Sequence, residues 1–182
     1  MLGLSDVAVG DSIAVQGACM TIVAVDVTGF DFDVSLESLA RTVGLDQKGP
    51  VNLEKAMRLT DRVGGHLVSG HVDGVGTVTR FQAVAESWTL DIKTPLPLAR
   101  YLVFKGSVTV NGVSLTINQV TDVPDGCVVS INLIPHTLAA TTLKALVPGA
   151  GVNLEVDMIA RYLDRMRAVD AAAIHVDANP GV

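Results

Sequence analysis

The residues best suited to chemistry crowd into one stretch, Asp61-Arg-Val-Gly-Gly-His66-Leu-Val-Ser-Gly-His71-Val-Asp-Gly74. Two histidines can exchange or orient protons near neutral pH, and the glycines between them let backbone approach a ligand closely. His66 and His71 stand five apart, which fits no standard metal spacing, so proton handling or hydrogen bonding is the chemistry expected. The bland alternative is a glycine-rich linker that carries its histidines incidentally. Two further candidates look alike. Gly17-Ala-Cys19-Met-Thr21 and Gly112-Val-Ser114-Leu-Thr116 each place a small polar or nucleophilic side chain two residues before a hydroxyl, on one face of a strand. Such a face can read the donors and acceptors of a heterocycle. Read blandly, Thr21 and Thr116 are β-formers and Cys19 is a small apolar filler. A third cluster, Asn132-Leu-Ile-Pro-His136-Thr137, has a weaker partner in Asp33-Val-Ser-Leu-Glu37-Ser38, where Ser38 and Thr137 read as helix caps.

What positions these groups is a duplication. Ser12-Ile-Ala-Val-Gln-Gly-Ala-Cys-Met-Thr-Ile22 and Ser107-Val-Thr-Val-Asn-Gly-Val-Ser-Leu-Thr-Ile117 share five of eleven residues. Ser38-Leu-Ala-Arg-Thr42 then matches Thr137-Leu-Ala-Ala-Thr141, and Val51-Asn-Leu-Glu54 matches Val152-Asn-Leu-Glu155, in the same order.

Within each copy the apolar residues alternate with period two, and Gln16-Gly17 and Asn111-Gly112 fall where hairpin turns belong. Further strands are expected over 30–36, 51–57, 74–81, 88–92, 127–133 and 152–158. Short helical pieces are expected over 97–103 and 137–146, with a longer amphipathic helix from Met158 to about Ala172. Many short strands with closely spaced turns predict small antiparallel barrels. The second copy carries about 36 residues between His71 and Ser107, whereas 11 precede Ser12, a shortfall of roughly 25 residues or two strands with turns. The expectation is either an open first barrel or a start internal to a longer reading frame, and the second is favoured because open edges invite aggregation.

Composition is consistent with this. The 182 residues are 49% hydrophobic and 18% charged, enough for a substantial core, and the net charge of −6 with scattered basic residues argues against a nucleic-acid footprint. No apolar run is long enough for a membrane span and no signal layout opens the chain, so a cytoplasmic protein is expected. Cys19 and Cys127 form no CxxC, so neither a zinc nor a redox motif is read.

On Gly64-Gly-His-Leu-Val-Ser-Gly-His-Val-Asp-Gly74, Ser114-Leu-Thr116, Leu133-Ile-Pro-His-Thr137 and Val152-Asn-Leu-Glu155, the chain resembles the riboflavin synthases, the lumazine-binding repeat family. The resemblance runs from about Val9 to Arg165. It implies an all-β fold of two tandem Greek-key, six-stranded antiparallel barrels, the first incomplete, plus a C-terminal α-helix. The domains would be 1–66, 67–160 and, for the helix and tail, 161–182. It also implies a homotrimer joined through that helix and a transferase needing no cofactor or metal. Two molecules of 6,7-dimethyl-8-ribityllumazine would exchange four carbons, giving riboflavin and 5-amino-6-(D-ribitylamino)uracil, at a site between the N-terminal barrel of one subunit and the C-terminal barrel of another.

Carried over position by position, the resemblance implies one substrate site lined by Cys19, Met20 and Thr21, with Asp33, Val34, Ser35, Leu36, Glu37 and Ser38, and with Gly70, His71 and Val72 beside it. The other would use Ser114, Leu115 and Thr116 with Asn132, Leu133, Ile134, Pro135, His136, Thr137 and Lys105. His71 and Ser114 are expected to handle protons or activate the attacking nucleophile, assisted by Cys19 and Asp157. Three departures stand out: the family's opening strand has no counterpart, Asn111 replaces an Asp, and Ser38 replaces a Thr. Two other readings stay open, a non-catalytic lumazine- or flavin-binding antenna and an inactive truncated synthase.

Overall fold

The computed structural model describes residues 2–177. Its first half holds four strands, β1 (Ser12–Val15), β2 (Ala18–Val25), β3 (Phe30–Phe32) and β4 (Leu53–Lys55), with helix α1 (Leu36–Arg41) between the last two. The sheet order is β3-β2-β1-β4, all antiparallel where paired. The second half holds β5 (Gly74–Val84), β6 (Ser87–Pro95), α2 (Leu96–Ala99), β7 (Ser107–Val110), β8 (Val113–Val123), β9 (Gly126–Leu133), α3 (Pro135–Ala140), a 3₁₀ turn (Thr142–Ala145) and β10 (Gly151–Val156). Those six strands close into a barrel of order β10-β5-β6-β9-β8-β7. Helix α4 (Met158–Asp177) follows.

The duplication is plain in the topology. β1 to β4 occupy the same sheet positions as β7 to β10, and the partner strands β5 and β6 belong to the second half alone among the described residues. The alternation read in sequence holds: Ile13, Val15, Ala18, Met20 and Ile22 point into one core, and Val108, Val110, Ile117, Val129 and Leu154 into another. The expected all-β architecture with a closed six-stranded barrel, an incomplete first sheet and a C-terminal helix is thus borne out.

Both hairpin turns carry two consecutive positive φ values, Gln16 at 51° with Gly17 at 84°, and Asn111 at 48° with Gly112 at 83°. That is the backbone a tight two-residue hairpin requires, and it suits Asn and Gly. The two turns pack on each other: a Cβ on Gly17 would lie 2.6 Å from the Gly112 nitrogen.

The contacts around them are reciprocal. Asn52 Nδ2 donates to the Asn111 carbonyl at 2.8 Å, and Asn153 Nδ2 donates to the Gln16 carbonyl at 2.9 Å. Gln16 Oε1 accepts from the Asn52 N–H, and Asn111 Oδ1 accepts from the Asn153 N–H. The Asn52 side chain also accepts from the Thr142 N–H, as Asn153 does from the Val43 N–H. Each repeat therefore satisfies the buried polar groups of the other. Asn111 keeps the acceptor that an Asp would offer, without adding a buried charge.

Two helix starts differ from expectation. Ser35, not Ser38, caps α1, accepting from the Ser38 N–H at 3.0 Å. Pro135 opens α3 after Ile134, so Thr137 lies inside the helix. Proline's missing N–H and fixed φ suit a first helical position, which removes the need for a hydroxyl cap. Helix α4 extends past the expected Ala172 to Asp177, and the end of the expected 161–182 segment, residues 178–182, lies outside the described residues.

Candidate functional site

A cavity of about 1120 Å³ opens between the two halves, with Cys19, Glu54, His66, Ser69, Gly112 and Ser114 in its wall. The segment joining the halves crosses the outer faces of both hairpins. Its Gly70 carbonyl accepts from the Cys19 N–H at 2.8 Å, and a Cβ on Gly70, where φ is +76°, would meet Cys19 Cβ at 2.9 Å. Gly65 lies against Ser114 in the same way. These glycines let one strip of backbone touch equivalent positions of the two repeats, which accounts for their density in the sequence.

His66 is held by the second half through both ring nitrogens. Nδ1 and Ser114 Oγ are 2.8 Å apart, and Nε2 and Thr109 Oγ1 are 3.1 Å apart. Burial pushes the imidazole pKa below its usual 6.5, against the opposing pull of Asp157 and Glu155, so the ring is neutral at neutral pH. Glu155, buried at the end of β10, accepts from the Ser69 N–H (2.8 Å), the Ser69 hydroxyl (2.5 Å) and the Gly70 N–H (3.0 Å). Its repeat equivalent Glu54 faces the cavity, where burial and then the Glu155 charge push its carboxyl upward.

The remaining expected site residues divide by face. In β2, Cys19 and Thr21 point outward while Met20 is buried in the first core. In β8, Ser114 and Thr116 point outward and Leu115 packs against the barrel core. Asp33, Ser35, Leu36 and Glu37 are exposed at the β3–α1 junction, Ser38 is half-buried in α1, and Val34 turns into the first core. At the matching β9–α3 junction, Asn132, Ile134, Pro135 and His136 are exposed, Thr137 is half-buried, and Leu133 is buried. Lys105 is exposed beside Phe104, with its Nζ 3.3 Å from Asn118 Oδ1.

His71 does not share the cavity with Ser114. It lines a smaller hollow of about 320 Å³ with Ser69 and the first turns of α4, including Arg161, Tyr162 and Arg165. Arg161 bonds the His71 carbonyl and Asp73, tying α4 to this segment. Val72 packs on the first core. Asp157 caps α4 by accepting from the Ile159 N–H at 2.9 Å.

Two features had sequence signals that spacing alone did not decode. In the second copy the Val-Asn-Leu-Glu motif puts polar Asn153 and Glu155 in the buried strand β10, which marks them as partners of long-range groups. The repeat carries the same reading to Asn52, just before β4. His66 stood out by residue type and by its place in the glycine-rich motif, but nothing in the sequence paired it with Ser114 and Thr109.

Comparison with known proteins agrees with this geometry. The family model for the lumazine binding domain matches residues 2–56 and 69–157, one match per repeat. Riboflavin synthase of Photobacterium leiognathi is 46% identical over 171 residues, covering 93% of this chain and 77% of that protein. The Bacillus subtilis riboflavin synthase is 43% identical over 164 residues, covering 89% and 74%. Among solved structures, LumP complexed with riboflavin superposes with a TM-score of 0.72 at 27% identity, covering 84% of this chain and 82% of that one. LumP complexed with 6,7-dimethyl-8-(1'-D-ribityl) lumazine gives 0.71 at 26% identity, covering 84% and 81%. Duplicated hairpins, reciprocal contacts and paired family matches lead to one assignment: the chain belongs to the riboflavin synthase family of lumazine-binding repeat proteins.

Proposed function

We propose that the chain is a riboflavin synthase, a transferase that converts two molecules of 6,7-dimethyl-8-ribityllumazine into riboflavin and 5-amino-6-(D-ribitylamino)uracil. The observation carrying this reading is the equivalence of the two repeats, each with an outward hydroxyl or thiol on its second strand and an exposed apolar residue at its strand–helix junction. Leu36, the first residue of α1, is 86% exposed, and Ile134, which precedes the first residue of α3, is 55% exposed. Each junction thus offers an apolar surface on which a planar ring can stack, one position apart in the repeat alignment. Two identical substrates suit two like half-sites. The reaction asks little of the protein beyond orientation and proton management, because the lumazine C7 methyl carbanion delocalises into the pteridine.

Within this reading, Cys19 with the 33–38 junction serves one lumazine, and Ser114 with Lys105 and the 132–137 junction serves the other. Ser114 and His71 manage protons, with Cys19 and Asp157 in support. His71 and Ser114 open on different cavities of one chain, so a half-site from a second subunit completes the pair. Helix α4 supports a homotrimer: Ile159, Leu163 and Met166 recur along it and are between 56% and 63% exposed. Among the described residues, no helix is long and apolar enough to cross a membrane, and the reaction is assigned to the cytoplasm.

The test is incubation of the chain with 6,7-dimethyl-8-ribityllumazine while riboflavin is followed by its absorption and by chromatography. Riboflavin and the pyrimidinedione should appear in equal amounts. Tight lumazine binding with no riboflavin would favour a binding protein instead, as the likeness to the LumP complexes allows.

A further inference from the structure

The Thr109–His66–Ser114 chain has a direction, and the buried end sets it. Thr109 is 1% exposed, and the His66 Nε2 is the hydrogen-bond partner found for its hydroxyl. A buried hydroxyl proton needs an acceptor. If Nε2 carried the ring proton, it would donate to Thr109 Oγ1 and leave the buried threonine proton with no second acceptor in hydrogen-bond reach among the described residues. Glu155 and Ser114, opposite Thr109 on the neighbouring strands, bond elsewhere. If Nδ1 carries it, Thr109 donates to Nε2, and Nδ1–H donates to Ser114 Oγ. Ser114 is exposed to the cavity, so its own proton is free to find a partner there. The cost falls on one tautomer alone.

We infer that His66 is a positioning residue, held by Thr109 in the Nδ1–H tautomer, which turns the Ser114 hydroxyl proton into the cavity as a donor to an acceptor atom of the ligand. Ser114 therefore does not pass its proton to His66, and the pair is not a nucleophile with its general base. In the lumazine site the matching acceptors are the carbonyl oxygens and unprotonated ring nitrogens of the pteridine. Gly65 serves the same end, since a side chain there would collide with Ser114 Oγ and turn it away. The ligand assignment rests on the lumazine reading above, but the proton assignment does not.

Long-range ¹H–¹⁵N correlation on the full ¹⁵N-labelled chain at pH 8 tests the direction, with His66 identified by loss of its signals in His66→Gln. Nδ1 should resonate as a protonated, pyrrole-like nitrogen and Nε2 as an unprotonated, pyridine-like one. The reverse pattern, or an even mixture, overturns the inference. Thr109→Val removes the orienting donor and should lower the kcat for riboflavin formation about tenfold with a smaller change in KM, whereas Thr109→Ser should restore it. A Thr109→Val protein that keeps wild-type kcat also overturns the role. Should the chain show the Nδ1–H tautomer yet form no riboflavin, the synthase reading fails while the assigned proton direction stands.

Discussion

His66 draws its interest from placement, since its distance from His71 in sequence fits no standard metal spacing. Between a buried threonine and a cavity-facing serine, the ring is most comfortable neutral. Protonation would make both nitrogens donors and force the Thr109 proton away from its acceptor. Burial lowers the folded-state pKa below the ordinary 6.5, while Asp157 and Glu155 pull the other way and lose. A base with a depressed folded pKa contributes stability fully above the unfolded value of 6.5, and that stability is lost as pH falls through the folded value. Wild type should therefore lose urea stability between pH 7 and 5 more steeply than His66→Gln, in which this group no longer titrates. Parallel curves for the two proteins would show that the ring is not held neutral. Residue types and order were legible in the sequence, but the pairing of His66 with Ser114 was not. That contact joins the interdomain segment to a strand edge 48 positions away, and hydrophobic periodicity carries no information about it.

At the level of elements, the hairpins were the most legible part of the chain. Gln16-Gly17 and Asn111-Gly112 announce left-handed backbone, and the flanking alternation fixes which side chains turn inward. Helix starts were harder, because Ser35 and Ser38 are equally good caps by type and only the path of β3 decides between them. Back-to-back packing of the two turns was invisible, since it depends on how one repeat meets the other. It can be separated from simple conformational strain. Gly10 and Gly17 both have positive φ, +95° and +84°, but a Cβ on Gly10 meets nothing within 4 Å. Gly10→Ala should cost about 1–2 kcal/mol for the left-handed backbone alone. Gly17→Ala adds a collision with the Gly112 backbone and should cost about 3 kcal/mol or more. Chemical denaturation midpoints compare the two directly. Equal losses would mean that the turns are not in firm contact.

Across the whole molecule, the two copies of one sequence pattern end in unequal circumstances. In the barrel of β5 to β10 every strand is paired along both edges, and sixteen buried residues form its core. The sheet of β1 to β4 leaves β3 and β4 each paired along one edge among the described residues, over a core of five buried residues. What holds the first half in place is largely the second: the Asn52 and Asn153 bonds, the turn-to-turn contact, and the Gly70 strip anchored by Glu155. Opening of the first sheet need not disturb the barrel, but opening of the barrel removes the anchors of the first sheet. Native-state hydrogen exchange should therefore resolve two levels. Protected amides of β6, β8 and β9 should exchange only through global unfolding, and those pairing β1 with β4 should exchange at least ~100-fold faster through a partial opening, a gap of roughly 3 kcal/mol. Addition of the lumazine should narrow the gap if its binding draws on both repeats, because the ligand then stabilises the state in which the first sheet is closed against the second half. Uniform protection across both halves without ligand would instead show one cooperative unit, with the inter-repeat bonds strong enough to make up for the missing strand pairing.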